Sequence, residues 1–212
     1  MMDCPDLPKR GPGRPRSDAT RCAILKAAYE LLEEAGMAGF TIEGVADRSG
    51  SAKTTIYRWW PSRGVLASDA MLSHYQTEYP DPHSSSAVAD LRGVMHHMAE
   101  AMSGPQGRVL AGLIAEAQSC SGTEDAIMAN LITRRRELGR SIMERAIAGG
   151  QVRPDISIDT ALDALFGPLF YRLMLNRMPF EPGWIDQLAE MVLQGIAAGP
   201  AQGAAAGTLR QR

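Results

Sequence analysis

Lys53, Thr54, Thr55, Tyr57 and Arg58 crowd one short stretch whose side chains suit a polyanionic partner. Lysine and arginine neutralise phosphates. The hydroxyls of threonine and tyrosine donate to phosphate oxygens, and threonine also reads base edges or touches a thymine methyl. Such groups work together only if one element presents them on one side. The surrounding residues predict that element. Gly50 sits where the chain must reverse, in a conformation cheap only for glycine. Ser51 is expected to cap the helix that follows, accepting from the backbone of Lys53 or Thr54. Thr41 is expected to cap a short helix before the turn, with Phe40 and Val45 as its hydrophobic staple. Ile42, Val45, Ile56 and Trp60 are left to face a small core, and Ala46 is small where the two helices cross. Two short helices joined by a glycine turn form a helix-turn-helix, which makes duplex DNA the expected partner. Lys53, Thr54, Thr55 and Tyr57 are the expected groove and phosphate contacts. Thr41, Ser51, Arg58, Trp59 and Arg63 are expected to brace the backbone on either side.

Residues 19–66 as a string resemble the DNA-binding domain of TetR-family transcriptional regulators. The resemblance rests on Ala46, Gly50, Thr55, Tyr57, Trp60 and Arg63, after a long amphipathic helix and a Thr-capped second helix. Three positions depart from the pattern. Ser51 stands where an aliphatic residue is usual, Trp60 where Phe is usual, and Arg63 where Lys is usual. A looser likeness to one effector-domain branch of the same family covers about 145–198, through Gly149-Gly150-Gln151-Val152-Arg153-Pro154-Asp155 and Gly167-Pro168-Leu169-Phe170-Tyr171-Arg172. The resemblance implies a ligand-responsive regulator, most simply a repressor. It also implies a symmetric dimer built on the last two helices, and a small-molecule pocket in the helices between head and dimer interface. Two heads about 34 Å apart would read a near-palindromic operator.

Upstream lies a different kind of segment. Pro5, Pro8, Pro12 and Pro15 with Gly11 and Gly13 argue against any helix over 3–16. Arg10, Arg14 and Arg16 make this arm basic, and Gly13-Arg14-Pro15-Arg16 resembles an AT-hook core. A narrow A·T minor groove concentrates negative potential and attracts inserted arginine. The plainer alternative is a solubilising tail.

Elsewhere the sequence predicts an all-α chain. Residues 1–17 form a flexible arm, 18–64 the helix-turn-helix domain with three helices, 65–199 a helical effector-binding and dimerisation domain, and 200–212 a disordered Gly/Ala-rich tail. Ile24, Ala27, Ala28, Leu31, Leu32 and Ala35 make the stripe of the first helix, ended by Gly36. Later helices are expected near 62–79, 86–102, 105–119, 124–148, 158–177 and 182–198. The last two are apolar over more of their circumference than one buried stripe requires. Leu165, Leu169, Leu173, Leu188, Val192 and Ile196 are therefore the expected dimer contacts. In the middle region, Met71, Met95, Met98, Met102 and Met128 could line an adaptable cavity, with Tyr75, His96 and His97 as polar contacts. For any single methionine, core packing is the simpler role.

Composition excludes other classes. A net charge of −2 shows that the chain as a whole is no polycation, so any basic face must be local. No apolar run is long enough to cross a bilayer, and no leader is visible; a cytoplasmic protein without membrane contact is expected. Cys4, Cys22 and Cys120 are widely spaced with no Cys-x-x-Cys, which suggests reduced thiols. His96 and Glu100 have metal spacing but no third ligand. No nucleophile elbow, phosphate loop or dinucleotide fingerprint occurs, so neither an enzyme nor a cofactor is expected. The Arg134-Arg135-Arg136 run, with Arg140 and Arg145, reads as a solvated face paired to Glu137 and Glu144 rather than an anion site. The competing reading is a helical dimer that acts as a small-molecule-binding or protein-interaction module without specific DNA binding.

Overall fold

The described residues form ten α-helices and one π turn, and contain no strand beyond one isolated bridge between Val152 and Ala197. The computed structural model describes residues 15–74, 84–175, 179–181 and 183–198, with side chains from Asp18 onward. Arg10, Arg14, Tyr75 and the 200–212 tail lie outside the described residues, and Arg16 contributes only its backbone.

The helix-turn-helix region is built from α1 (Pro15–Gly39), α2 (Ile42–Ser49) and α3 (Lys53–Trp59). α1 begins at Pro15, inside the stretch expected to be helix-free. Proline is compatible with the first helical turn, where its missing N–H would have no partner anyway. Gly36 breaks α1 near its end with φ 61° and ψ −176°. The chain then makes one more turn to Gly39 rather than stopping at Gly36. Ile24, Ala28 and Leu32 are fully buried, whereas Ala35, expected in the same stripe, is exposed.

α4 (Arg63–His74) leads from this head into the body, its start capped by the Ser62 Oγ, which accepts from the Val65 amide at 3.2 Å. The body comprises α5 (Ala87–Ser103), α6 (Pro105–Ala117), α7 (Ser121–Ile127), α8 (Thr133–Ala148), α9 (Ile158–Leu175) and α10 (Trp184–Ile196). Residues 124–148 are not the single helix the pattern predicts. A π turn, Met128–Ile132, separates α7 from α8. The sequence gives no warning, because one extra residue in the hydrogen-bond ring changes neither composition nor polarity.

Apolar side chains from α1 through α10 form one continuous core, so head and body share it. α4 is tied to α1, α6 and α7. Its Arg63 grips Glu116 of α6 with two bonds of 3.0 and 2.6 Å. Its Gly64 lies against Thr123 of α7; a Cβ there would meet the threonine hydroxyl, and also its Cγ2 at 2.7 Å. At its other end, the His74 ring stacks on Tyr29 of α1 at 3.6 Å between centroids. Burial, then repulsion from Glu33, pushes the Tyr29 hydroxyl up to about 12, so it stays neutral at ordinary pH.

Among the described residues, Cys120 is a free thiol, and Cys4 lies outside them. Three arginines of α8 are ion-paired, and across helices rather than to Glu137 and Glu144. Arg136 reaches Asp163 at 2.6 Å and Asp159 at 3.0 Å, Arg140 reaches Asp159 at 2.6 Å, and Arg145 pairs with Asp90.

Gly64 therefore sets how closely α4 and α7 approach. Gly64→Ala is expected to lower the unfolding free energy by about 1–3 kcal/mol, the usual cost of overpacking. Adding Thr123→Ala should recover part of the loss. Urea denaturation of both variants measures this, and equal midpoints for Gly64→Ala and the parent chain would refute the close contact.

Candidate nucleic-acid interface and an apolar cavity

The turn between α2 and α3 follows local rules. Thr41 has extended backbone, and its Oγ1 accepts from the Gly44 amide at 3.1 Å. Phe40 and Val45 are both fully buried, as a staple requires. Gly50 adopts φ 65° and ψ 22°, and its amide donates to the Ala46 carbonyl. Ser51 does not cap α3. The N-cap residue is Ala52, with no side-chain bond, so the opening amides of α3 keep no side-chain acceptor. The Ser51 amide instead donates to the Ala46 carbonyl at 3.1 Å, which spends the residue on closing the turn.

α3 divides cleanly. Ile56 is fully buried and Trp60, just past the helix end, is 1% exposed. Lys53, Thr54, Tyr57 and Arg58 are exposed, and Thr55 and Trp59 are half-buried. The large Tyr57 ring keeps 52% of its surface open, although nothing prevents an aromatic residue from folding inward elsewhere on a helix. Trp59 meets Trp60 edge-on at 5.5 Å, and the Arg58 guanidinium lies 5.9 Å from the Trp59 ring centre. Lys53 bonds Glu43 of α2 at 2.6 Å. That ammonium holds the Glu43 carboxyl below its usual range, and Glu43 in turn raises Lys53, so both are charged at neutral pH. Arg48 makes a two-pronged pair with Glu34 of α1, at 2.8 and 2.6 Å, which ties α2 to α1.

Arg63 stands apart from this face. Besides Glu116, it donates to the Phe40 carbonyl at 3.2 Å. Its guanidinium is engaged within the protein, so it braces the turn region from behind.

A second site sits in the body. A cavity of about 370 Å³ lies between α5, α6, α7, the π turn, α8 and α9. That is large enough for a small organic molecule. Its wall is mainly apolar, with Val94, Met98, Ile114, Ile127, Leu162, Phe166 and Phe170 among the lining residues. Glu124, Gln118, Arg135, Arg136 and Asp163 supply polar groups. Met98 and Met128 line it as expected. Met71, Met95 and Met102 do not; they are buried in the core, where flexible thioethers fill gaps. Sequence reasoning missed Phe166 and Phe170, because an apolar residue on a broad helix face gives no sign of which neighbour it meets. His96 bonds Asp186 at 2.9 Å, and no cluster of three metal-binding side chains exists among the described residues.

The expected dimer contacts divide into two groups. Leu165, Leu169, Leu173 and Leu188 are buried inside the chain's own core, and Val192 and Ile196 pack partly against it. The outward residues of α9 and α10 are others. Tyr171 is 61% exposed, Met191 69%, and Met174 and Leu175 are also open. The width of the apolar face was legible, but not which side served the monomer. No helix among the described residues is long and apolar enough to cross a membrane.

Comparison with known proteins agrees with this arrangement. Residues 24–70 match the family described as bacterial regulatory proteins, tetR family, and residues 81–192 match the tetracyclin repressor-like C-terminal domain. An uncharacterized HTH-type transcriptional regulator, YdeS of Bacillus subtilis (strain 168), is 30% identical over 88% of this chain and 94% of its own length. The DNA-binding transcriptional repressor TetR of Mycobacteroides abscessus is 24% identical over 84% of this chain and 94% of its own. Among solved structures, the TetR family transcription regulator SCO0332 superposes with a TM-score of 0.71 and 32% identity, covering 84% of this chain and 98% of that one. The regulator FadR from Bacillus subtilis, solved in complex with stearoyl-CoA, shares the fold at a TM-score of 0.62 and 18% identity, covering 84% and 98% of the two chains. Matches to both the head and the body, and a relative of this identity along nearly the whole length, establish that the chain belongs to the TetR family of DNA-binding transcriptional regulators.

Proposed function

We propose that this regulator is a dimeric repressor that binds a near-palindromic operator and leaves it when a small apolar effector fills the cavity. The observation that carries the DNA half is the outward set Lys53, Thr54, Tyr57 and Arg58 on a helix whose opposite side, Ile56 and Trp60, is buried. Such a helix places cations and hydroxyls at a groove while its back is held by the core. Thr55 and Trp59 flank this set, and Thr41 and Ser51 lie at the helix starts beside it. The basic arm with Arg10, Arg14 and Arg16 is proposed to reach an adjacent minor groove.

The effector half rests on the cavity. Its charged lining groups balance, Glu124 and Asp163 against Arg135 and Arg136, and Arg136 is already paired to Asp163. A neutral, largely apolar molecule suits such a wall. To act as inducer it must prefer the form that does not bind DNA.

The dimer is proposed to form on Tyr171, Met174, Leu175 and Met191. Two glycines favour this face. Gly167 on α9, at the rim of the cavity, and Gly195 on α10 are exposed, and a Cβ at either would meet nothing within 4 Å among the described residues. Glycine inside a helix costs about 1 kcal/mol relative to alanine. No contact within the chain requires it at these positions; close approach by a partner helix would.

Salt titration of duplex binding tests the DNA reading. The full chain should bind a duplex selected from a random pool, with log affinity falling steeply against log salt. Tyr57→Ala should lose specific binding while the dimer persists. Removal of residues 1–14 should weaken binding and flatten the salt slope. Salt-insensitive binding would favour the interaction-module alternative.

Lys53 must exchange Glu43 for a phosphate when DNA arrives, and Glu43 itself repels the backbone. Glu43→Gln is expected to tighten duplex binding about two- to fivefold at low salt, the scale of one exposed ion pair, with the gain shrinking as salt rises. Unchanged affinity at low salt would place Lys53 away from the phosphates.

For the dimer, Met191→Glu should shift the chain toward monomer in sedimentation velocity without lowering helical content. Leu165→Ala should instead lower the melting temperature. A Met191→Glu chain that stays fully dimeric would move the interface elsewhere.

A further inference from the structure

One polar chain joins the cavity wall to the end of α3. Trp60 follows α3 and is 1% exposed. Its indole N–H donates to Asp69 of α4 at 2.9 Å, on Oδ2. The other oxygen, Oδ1, accepts from the side-chain amide of Asn130 at 2.8 Å. The same Asn130 nitrogen is 3.3 Å from the Ser68 hydroxyl, which is fully buried. Arg21 of α1 completes the group, 3.8 Å from Asp69 and 5.9 Å from the Trp60 ring centre.

Asn130 is the middle residue of the π turn. Met128 and Ile132, two positions to either side, line the cavity. One short segment therefore touches the effector space with one side and Asp69 with the other. A π turn is a helix carrying one residue too many, and such insertions recur at functional sites. Moving the extra residue along the helix changes the register of the turn. Each residue of register is worth about 1.5 Å of rise and about 100° of rotation. Asn130 cannot keep a 2.8 Å bond to Asp69 through such a shift.

We infer that Asn130 and Asp69 are positioning residues that pass the state of the cavity to α3: an effector pressing on Met128 and Ile132 shifts the π turn, withdraws Asn130 from Asp69, and so loosens the hold of Asp69 on Trp60. This rests on the reading of the cavity as the effector site. The coupling is reciprocal. A chain held on DNA, with Trp60 locked to Asp69, must bind the effector less well.

The experiment uses the full chain and the neutral fluorophore N-phenyl-1-naphthylamine as cavity probe. Duplex affinity is measured with and without saturating probe for the parent chain, Asn130→Ala and Asn130→Asp. Probe affinity and melting temperature are measured on the same samples. The parent chain should lose at least fivefold in duplex affinity when the probe binds. Asn130→Ala should bind the probe at least as tightly as the parent yet change its duplex affinity less than twofold in response. Asn130→Asp keeps the shape but sets a carboxylate against Asp69. It should bind duplex at least fivefold more weakly with no probe present, and bind the probe at least as tightly as the parent does.

A purely structural role would lower melting temperature and probe binding together, leaving the response of the surviving folded chain intact. That result overturns the inference. So does an Asn130→Ala chain that responds like the parent, or an Asn130→Asp chain that binds duplex like the parent. A parent chain that fails to bind the probe, or whose duplex affinity ignores it, counts against the effector reading of the cavity. The probe-free behaviour of Asn130→Asp then still decides whether Asn130 positions α3.

Discussion

Burial of the Trp60 indole is the constraint from which the head takes its orientation. A buried N–H without an acceptor costs about 1–3 kcal/mol, so the ring can be enclosed only where an acceptor is waiting. Asp69 is that acceptor. A carboxylate drawn toward the core needs partners of its own, and Asn130 and Arg21 provide them. One aromatic side chain thus commits α1, α3, α4 and the π turn to a single arrangement. The outward direction of Tyr57 and Lys53 follows, because Ile56 and Trp60 fix which side of α3 is inside. Phenylalanine at position 60 would fill the same space without any hold on α4. The departure from the family pattern at that position therefore adds a polar link that packing alone does not supply.

α4 is constrained at both ends, and this decides how the head can move. Its first residue grips α6 through Glu116, its second lies on α7 at Thr123, and its last stacks on α1 at Tyr29. Gly112 of α6 in turn sits against Met37, beyond the break in α1, leaving 2.9 Å for any added Cβ. The head is thus tied through α4 to α6 and α7, whose other surfaces line the cavity. Close-packed interfaces of this kind exchange one arrangement for another rather than deform gradually.

The helix-turn-helix was legible because its rules are local. A left-handed glycine, a threonine cap and a four-residue apolar spacing each act within one turn of chain, and Thr41, Gly50, Ile56 and Trp60 lie as those rules predict. Ser51 misled because a serine beside a helix start can serve the turn as well as the cap. The body was legible as helices but not as a site. Leu165 and Leu169 carry the same chemistry whether they face the core or a partner, and only the packing of α5, α6 and α8 around α9 decides. Met71 and Met98 are identical in type and differ only in what lies beside them. The π turn left no trace in composition, so Asn130 read as one more polar residue on a helix. Its meaning depends on Asp69, 61 positions away.

The size of the link between Asn130 and Asp69 matches what regulation requires. A hydrogen bond to a charged group contributes about 1.5–3 kcal/mol, more than the roughly 1 kcal/mol of a neutral pair. Coupling between two ligand sites is typically about 1–3 kcal/mol, or about 5- to 150-fold in affinity. One such bond per chain is therefore sufficient to account for an ordinary response, without any larger rearrangement of the core. An almost complete switch, from 1:99 to 99:1, needs about 5.5 kcal/mol of differential binding. In the proposed dimer two such bonds sum to about 3–6 kcal/mol, whose upper end reaches that figure. A single head would respond weakly. A symmetric pair whose heads must both fit the duplex turns the same local bond into a decisive change in occupancy.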